Sequence, residues 1–311
     1  MKTCFLFPGQ GAQYPGMGKD LWDASAGVKE LFRNASKVTG LDLEELLFRG
    51  SAEDLQATNR TQIAVTLVNV AVARVLAERG VAAHGYAGFS VGEYAALAAA
   101  GVIADEDLFR IVQARGELME QASRGADTAG GPAGMAAVIG LAPEAVTAAL
   151  EDAGEGVYAA NFSSPRQVVL AGTVEGLARA EQACSAAGAR RFVRLRVSGP
   201  FHSPLIEGAR RRFAEVVAGF EFRDPVTPVY ANVTGARVTS GAEAQRRCVE
   251  QIVSSVQWVA EIHALLDAGY ERLLETGPGS VLTGLLRGFD TDVACTPVGT
   301  VEQVESVAGA G

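Results

Sequence analysis

The stretch Gly88-Phe89-Ser90-Val91-Gly92-Glu93 carries the plainest chemistry in the sequence: a GxSxG between a short candidate strand, Tyr86 to Phe89, and an Ala-rich candidate helix, Val91 to Ala100. In a strand-turn-helix setting this pattern forms a nucleophile elbow. The serine sits in a strained turn, the glycines avoid clashes, and the hydroxyl meets a helix N-terminus whose free N–H groups stabilise an oxyanion. An ordinary turn is the alternative in a chain rich in small residues. An activated serine needs a base, and the only histidines are His84, His202 and His263. His263 falls in the helical pattern Trp258 to Ala268, and His84 lies at the wrong end of the strand before Ser90. His202, in GPFHSP, follows a candidate strand ending at Val197 and precedes Ser203-Pro204, a cap-plus-proline helix start. It is the expected base, with a partly buried loop histidine as the alternative.

Arg115 occupies an odd position. Leu108, Ile111, Val112, Leu118 and Met119 form one apolar stripe of an amphipathic helix from Asp105 to Ser123, and Arg115 falls on that stripe. A buried cation needs an anion, because leaving it unpaired is costly. Two anions fit: an internal Asp or Glu, or the carboxylate of a ligand, which a guanidinium matches with two parallel hydrogen bonds. Gly9 to Gly18, GQGAQYPGMG, contains neither GxGxxG nor GxxxxGK[ST], so it is no nucleotide-phosphate loop, though its amides can still face a site. Arg190, Arg194 and Arg196 near one strand and Arg210, Arg211 and Arg212 on a helix read as solvated faces or as a docking patch for an acidic partner.

These residues need a scaffold. The chain has 311 residues, 48% hydrophobic and 20% charged, a composition that excludes collagen-like, disordered and disulfide-scaffold classes. The apolar stretches Ile63 to Ala73 and Ala95 to Ala104 fall short of a membrane span of roughly 18 residues, and the N-terminus lacks a signal-peptide core. A cytoplasmic protein with no membrane partner is expected. The net charge of −9 argues against nucleic acid. Cys4, Cys184, Cys248 and Cys295 are too dispersed for a metal or redox pair, so neither a disulfide nor a metal site is expected. Strands alternating with helices to about residue 124 imply an α/β fold with a mainly parallel sheet. After the linker-like GADTAGGPAG, the order β (135–140), α (143–152), β (157–162), β (167–172), α (174–187), β (191–197) predicts a small ferredoxin-like βαββαβ insertion. The expected division is a first part of a large domain over 1–128, the small domain over 129–197 and the second part of the large domain over 198–311, with strands at 227–230, 271–275 and 293–296.

With FPGQGAQ, GFSVGE, QARGELM, GPFHSP, VQW and ETGPGSVLTGL in this order, the chain resembles the malonyl-CoA:acyl carrier protein transacylase family and the related acyltransferase domains of polyketide synthases. The resemblance spans nearly the whole chain and implies an α/β-hydrolase-like large domain with a ferredoxin-like insertion. It implies that Ser90 is the acylated nucleophile, His202 its base and Arg115 the anchor of the malonyl carboxylate. It further implies that the backbones of Gln10 and Val91 are the oxyanion donors, and that the carbonyl of Gln257 orients the histidine in place of a triad acid. Asn161 matches a shared position near the cleft. Val91 and Phe201 resemble the malonyl-selective pattern, larger extender units being the alternative. The family usually reads GHSxGE, and Phe89 departs from it. The implied substrates are malonyl-CoA and an acyl carrier protein of fatty acid or polyketide biosynthesis. No cofactor is implied, since the CoA thioester is a substrate and the phosphopantetheine belongs to the carrier. A serine hydrolase or thioesterase is the first rival reading, and a non-catalytic interaction module the second.

Overall fold

The computed structural model describes residues 1–309. β1 (Thr3–Phe7) is buried at every position, as an interior parallel strand covered on both faces should be. It stops at Pro8 and is followed by α1 (Lys19–Ala24), α2 (Ala26–Thr39) and α3 (Leu43–Phe48). Ser25 and Asp42 cap α2 and α3 by accepting from the N–H groups of Val28 and Glu45, satisfying donors that a helix start leaves free. Next come α4 (Thr58–Glu78), β2 (Gly85–Gly88), α5 (Gly92–Ala99) and α6 (Asp105–Arg124). By length and composition α4 could cross a bilayer, yet 72% of its most apolar window is buried inside the protein, packed against α2, α5 and α6. It is the central core helix.

The next segment builds a separate sheet: β3 (Gly134–Ile139), α7 (Pro143–Ala153), β4 (Val157–Ser164), β5 (Gln167–Gly172), α8 (Val174–Ala186) and β6 (Arg191–Arg194). Its strands are all antiparallel, in the spatial order β4-β5-β3-β6. Alternation along the strands divides its two faces. Ala136, Val138, Val168 and Leu170 pack with Val146 of α7 and Leu177 of α8, whereas Met135, Ala137, Val169 and Ala171 join the main core. β6 is shorter than the sequence predicts. Arg194 pairs opposite Ala136 and Leu195 N–H still bonds Met135 O at 2.9 Å, but the ladder goes no further, although β3 itself extends to Gly134. Arg196 therefore lies past the strand it was expected to share with Arg194.

A 3-10 turn (Pro204–Ile206) leads into α9 (Glu207–Val217), followed by β7 (Tyr230–Ala231), β8 (Ala236–Arg237), α10 (Gly241–Gln251), α11 (Trp258–Asp267), β9 (Arg272–Thr276), α12 (Val281–Leu286), β10 (Cys295–Val298) and α13 (Val301–Gly309). The main sheet is wholly parallel, in the order β10-β9-β1-β2, so the fold is α/β. The strand predicted over 227–230 reduces to a single parallel bridge, Val229 with Tyr86, before the β7–β8 hairpin takes the chain away from the sheet edge. Ligand sites in such sheets form beyond the carboxyl ends of the strands. Gln10 lies just beyond β1, and Ser90 just beyond the adjacent β2.

Candidate active site

Among the described residues, Ser90 and His202 are the only non-glycine residues with positive φ, at 54° and 57°. Side chains rarely adopt this conformation, and when they do it is held by surrounding contacts. At Ser90 both flanking glycines are required by close approach: a Cβ on Gly88 would collide with the backbone of Gly92 and Glu93, and one on Gly92 with the Phe7 carbonyl. The turn presents Ser90 Oγ 2.7 Å from His202 Nε2. His202 Nδ1 lies 2.8 Å from the carbonyl oxygen of Gln251. A carbonyl only accepts, so the proton sits on Nδ1, which leaves Nε2 free to accept from the serine hydroxyl. Burial, then the nearby charge of Arg115, pushes the His202 pKa down to about 3, against a small upward pull from the backbone of Gln251 and Ser254. The imidazole is therefore neutral at ordinary pH.

The orienting carbonyl corrects one expectation. It belongs to Gln251, not Gln257. Gln251 ends α10, where helix carbonyls lack intrahelical partners, and its C=O turns to the imidazole. Gln257 instead precedes α11, and its carbonyl accepts from Glu261 N–H at 2.9 Å while its own N–H donates to Asn232 O at 2.7 Å. Of the remaining histidines, His84 accepts from Thr3 N–H, and His263 packs edge-on to Phe289; neither lines the site.

Arg115 is 1% exposed. Its Nη1 donates to Gln62 Oε1 (2.6 Å), and its Nη2 to Gln251 Oε1 (2.8 Å) and to Ser90 Oγ (3.4 Å). Among the described residues its Nε has no partner, and it forms no ion pair. All three acceptors are neutral, which disposes of the internal salt bridge as an explanation of its position. Glu93, also buried, lies across the Gln251 amide: Gln251 Nε2 donates to Glu93 Oε2 at 2.5 Å. Burial raises the Glu93 pKa to about 7, although hydrogen bonds from Gln251 and Asn232 and the charge of Arg115 pull it down.

Ser90, His202 and Arg115 share a cavity of about 90 Å³ with Gln10, Val91, Asn161 and Phe201. Among the described residues, the backbone N–H groups of Gln10 and Val91 donate to no other protein group. Phe201, Met119, Met135, Leu195 and Val197 supply the apolar wall, and Asn161 Oδ1 is buried without a partner among the described residues. The ring of Phe89 stands edge-on to Trp258 at 5.4 Å, so the departure from GHSxGE places an aromatic contact beside the elbow. Sequence reasoning missed Gln62, Gln251, Asn232 and Glu93. For Gln62 there is a signal: Gln62, Thr66 and Asn69 form a polar stripe at spacings of four and three in the otherwise apolar stretch 62–73 of α4. Among the described residues no group of His, Cys, Asp or Glu is arranged to hold a metal.

A family model described as an acyl transferase domain matches residues 4–305. The chain belongs to the acyl transferase family. Within this acyl transferase family, a malonyl CoA-acyl carrier protein transacylase of Bacillus subtilis is 36% identical over 98% of this chain and 95% of its own length. One of Escherichia coli is 41% identical over 91% of each chain. A polyketide biosynthesis protein of Burkholderia thailandensis, ThaF, is 42% identical over 91% of this chain but only 24% of its own length. Among solved acyl transferases, the acyl carrier protein S-malonyltransferase of Vibrio cholerae aligns with a TM-score of 0.92 and 39% identity, covering 99% of this chain and 100% of that one. A malonyl-transacylase solved in complex with its type II PKS acyl-carrier protein aligns with a TM-score of 0.93 and 37% identity over the whole of both chains.

Proposed function

We propose that this acyl transferase moves a malonyl group from CoA to the phosphopantetheine thiol of an acyl carrier protein, as a malonyl-CoA:acyl carrier protein S-malonyltransferase supplying fatty acid or polyketide assembly. Ser90 Oγ attacks the thioester carbonyl while its proton passes to His202 Nε2. The N–H groups of Gln10 and Val91 receive the oxyanion, and Arg115 holds the distal carboxylate. Collapse breaks the carbon–sulfur bond, and the CoA thiolate leaves with the proton from His202. The carrier thiol then gives its proton to His202 and attacks the seryl ester, and serine is released by the reverse proton transfer. These steps call on no metal and no resident cofactor.

The observation that carries the reading is Arg115: a buried guanidinium held only by neutral oxygens, 3.4 Å from the nucleophile, is oriented for a ligand's carboxylate. The order β4-β5-β3-β6, with α7 and α8 on one face, supports a ferredoxin-like small domain over about 129–197 set in an α/β-hydrolase-like large domain made of 1–128 and 198–311. Four free cysteines support a reducing, cytoplasmic setting. Intact mass spectrometry after mixing with malonyl-CoA tests the reading. A malonyl adduct that Ser90→Ala abolishes, and that carrier protein discharges, is expected. Free malonate without adduct would make the protein a hydrolase, and no reaction would make it an interaction module.

A further inference from the structure

Asn232 immediately follows β7 and is fully buried, yet none of its atoms enters the acyl-transfer steps. Its side-chain amide joins both sides of the elbow. Oδ1 accepts from Ser90 N–H at 2.7 Å, and Nδ2 donates to Gly88 O at 2.6 Å and to Glu261 Oε2 at 2.9 Å. The amide cannot be turned round, since a flip would set Oδ1 against two oxygens and Nδ2 against an N–H. Its backbone is fixed too: the N–H donates to Glu93 Oε2 at 3.1 Å and the carbonyl accepts from Gln257 N–H. One residue from each of α5, α11 and the segment before α11 therefore holds Asn232 in place.

We infer that Asn232 is the positioning residue of the nucleophile elbow. By engaging Ser90 N–H it leaves the N–H of Val91 as the amide facing the cavity, and by tying Gly88 O and Ser90 N–H to one planar group it holds the left-handed φ from which Oγ reaches both His202 and Arg115. The site needs a side chain that accepts at one end and donates at the other over one amide's width. Asn does this without charge, whereas Asp would set a third carboxyl beside Glu93 and Glu261. This inference rests on Ser90 being the nucleophile of the proposed reaction.

The test combines two reactions of the full chain: single-turnover acylation of Ser90 by malonyl-CoA, and labelling of Ser90 by a fluorophosphonate, which requires no acyl-CoA site. Asn232→Ala is expected to slow both by roughly 10²-fold, the cost of a misplaced reacting group, with an unchanged half-saturating malonyl-CoA concentration because Arg115 is intact. A folded Asn232→Ala chain that reacts at the wild-type rate overturns the inference. Asn232→Asp keeps the shape and decides the matter if the alanine variant does not fold. The titratable groups around it, Glu93 of α5, Glu261 of α11 and, beyond Gln251, Arg115 and His202, are common to both proteins, so each rate is taken relative to wild type at the same pH. The ratio should rise as pH falls from about 8 to about 5.5, because a buried carboxyl regains its proton in that range and with it a donor toward Gly88 O. A ratio independent of pH overturns the inference. Wild-type protein that takes the fluorophosphonate but no malonyl group would sink the malonyl-transfer reading alone, and slowed labelling of the variants would still support the role of Asn232.

Discussion

On α9 at the surface, Arg210 donates from Nε to Glu207 Oε2 at 2.8 Å, and a carboxylate already answers its charge. In the interior, Arg115 is held as firmly but by two glutamine amides and a hydroxyl. The hydrogen bonds fix both guanidiniums; only the charge of the acceptor differs. A carboxylate acceptor completes the pair, whereas neutral acceptors fix the direction of the donors and leave the charge to be met by whatever enters the cavity. The clusters near β6 and on α9 divide by the same criterion. Arg194 reaches Glu181 at 4.0 Å and Arg212 bonds Gln121, while Arg190, Arg196 and Arg211 are exposed and form no ion pair among the described residues.

The comparison breaks most directly at Arg115→Ala. Removing a charge-assisted contact of about 1.5 to 3 kcal/mol should lower discrimination for malonyl over acetyl by roughly one to two powers of ten; acyl-CoA competition read by intact mass measures it, and Arg210→Ala should leave the ratio alone. The same variant should move the acid limb of kcat/KM upward, because the Arg115 charge helps depress the His202 pKa. An unchanged ratio with a lowered Tm would return Arg115 to a structural role.

Glu93→Gln sharpens the contrast. A carboxylate that served as the counter-ion of Arg115 would have a lowered pKa in the folded state, and stability would then rise with pH. Here burial raises it to about 7, so the folded chain binds more protons than the unfolded one between about pH 4.5 and pH 7. Stability from this group is therefore full below about pH 4.5 and falls as pH rises to about 7, by an amount on the order of 1 to 3 kcal/mol. The glutamine variant should flatten that decline in Tm, and an unaltered pH profile would show that Glu93 stays ionised.

The smallest effect belongs to the surface. Arg196→Ala and Arg211→Ala should weaken transfer to an acidic carrier by roughly two- to tenfold at low salt, and less as salt screens the contact. Transfer from malonyl-CoA to Ser90 should not change. Equal salt dependence in wild type and variants would make both arginines plain solvated groups.

Residues that act through their own distinctive chemistry could be found by type and spacing: Ser90 by its glycines, His202 by elimination among three histidines, Arg115 by its place on an apolar stripe. The parallel and antiparallel sheets followed from the rhythm of strands and helices. The residues that escaped act through amides and main-chain atoms. Gln251 contributes a carbonyl whose direction depends on where α10 ends, and no Gly or Pro marks that end. Asn232 is brought to the elbow only by the tertiary fold, from 142 positions away in the chain, so no local pattern could announce it. Strand ends were misjudged where pairing, not propensity, sets the limit: the alternation through Leu195 and Val197 continues past Arg194, where the paired strand β6 ends.

The order of the main sheet bears on how the chain is made. β1 emerges first and can pair with β2 early, but its other edge belongs to β9, with Thr3 opposite Arg272. At about 5–20 residues per second, that edge waits on the order of tens of seconds during synthesis. The antiparallel unit ending at Arg194 has by then emerged whole, while the parallel sheet still lacks β9 and β10. Its unpaired edge is apolar and ready to template a wrong partner. Slow refolding, with aggregation from a half-built parallel sheet, is the expected cost of pairing strands as distant in sequence as β1 and β9.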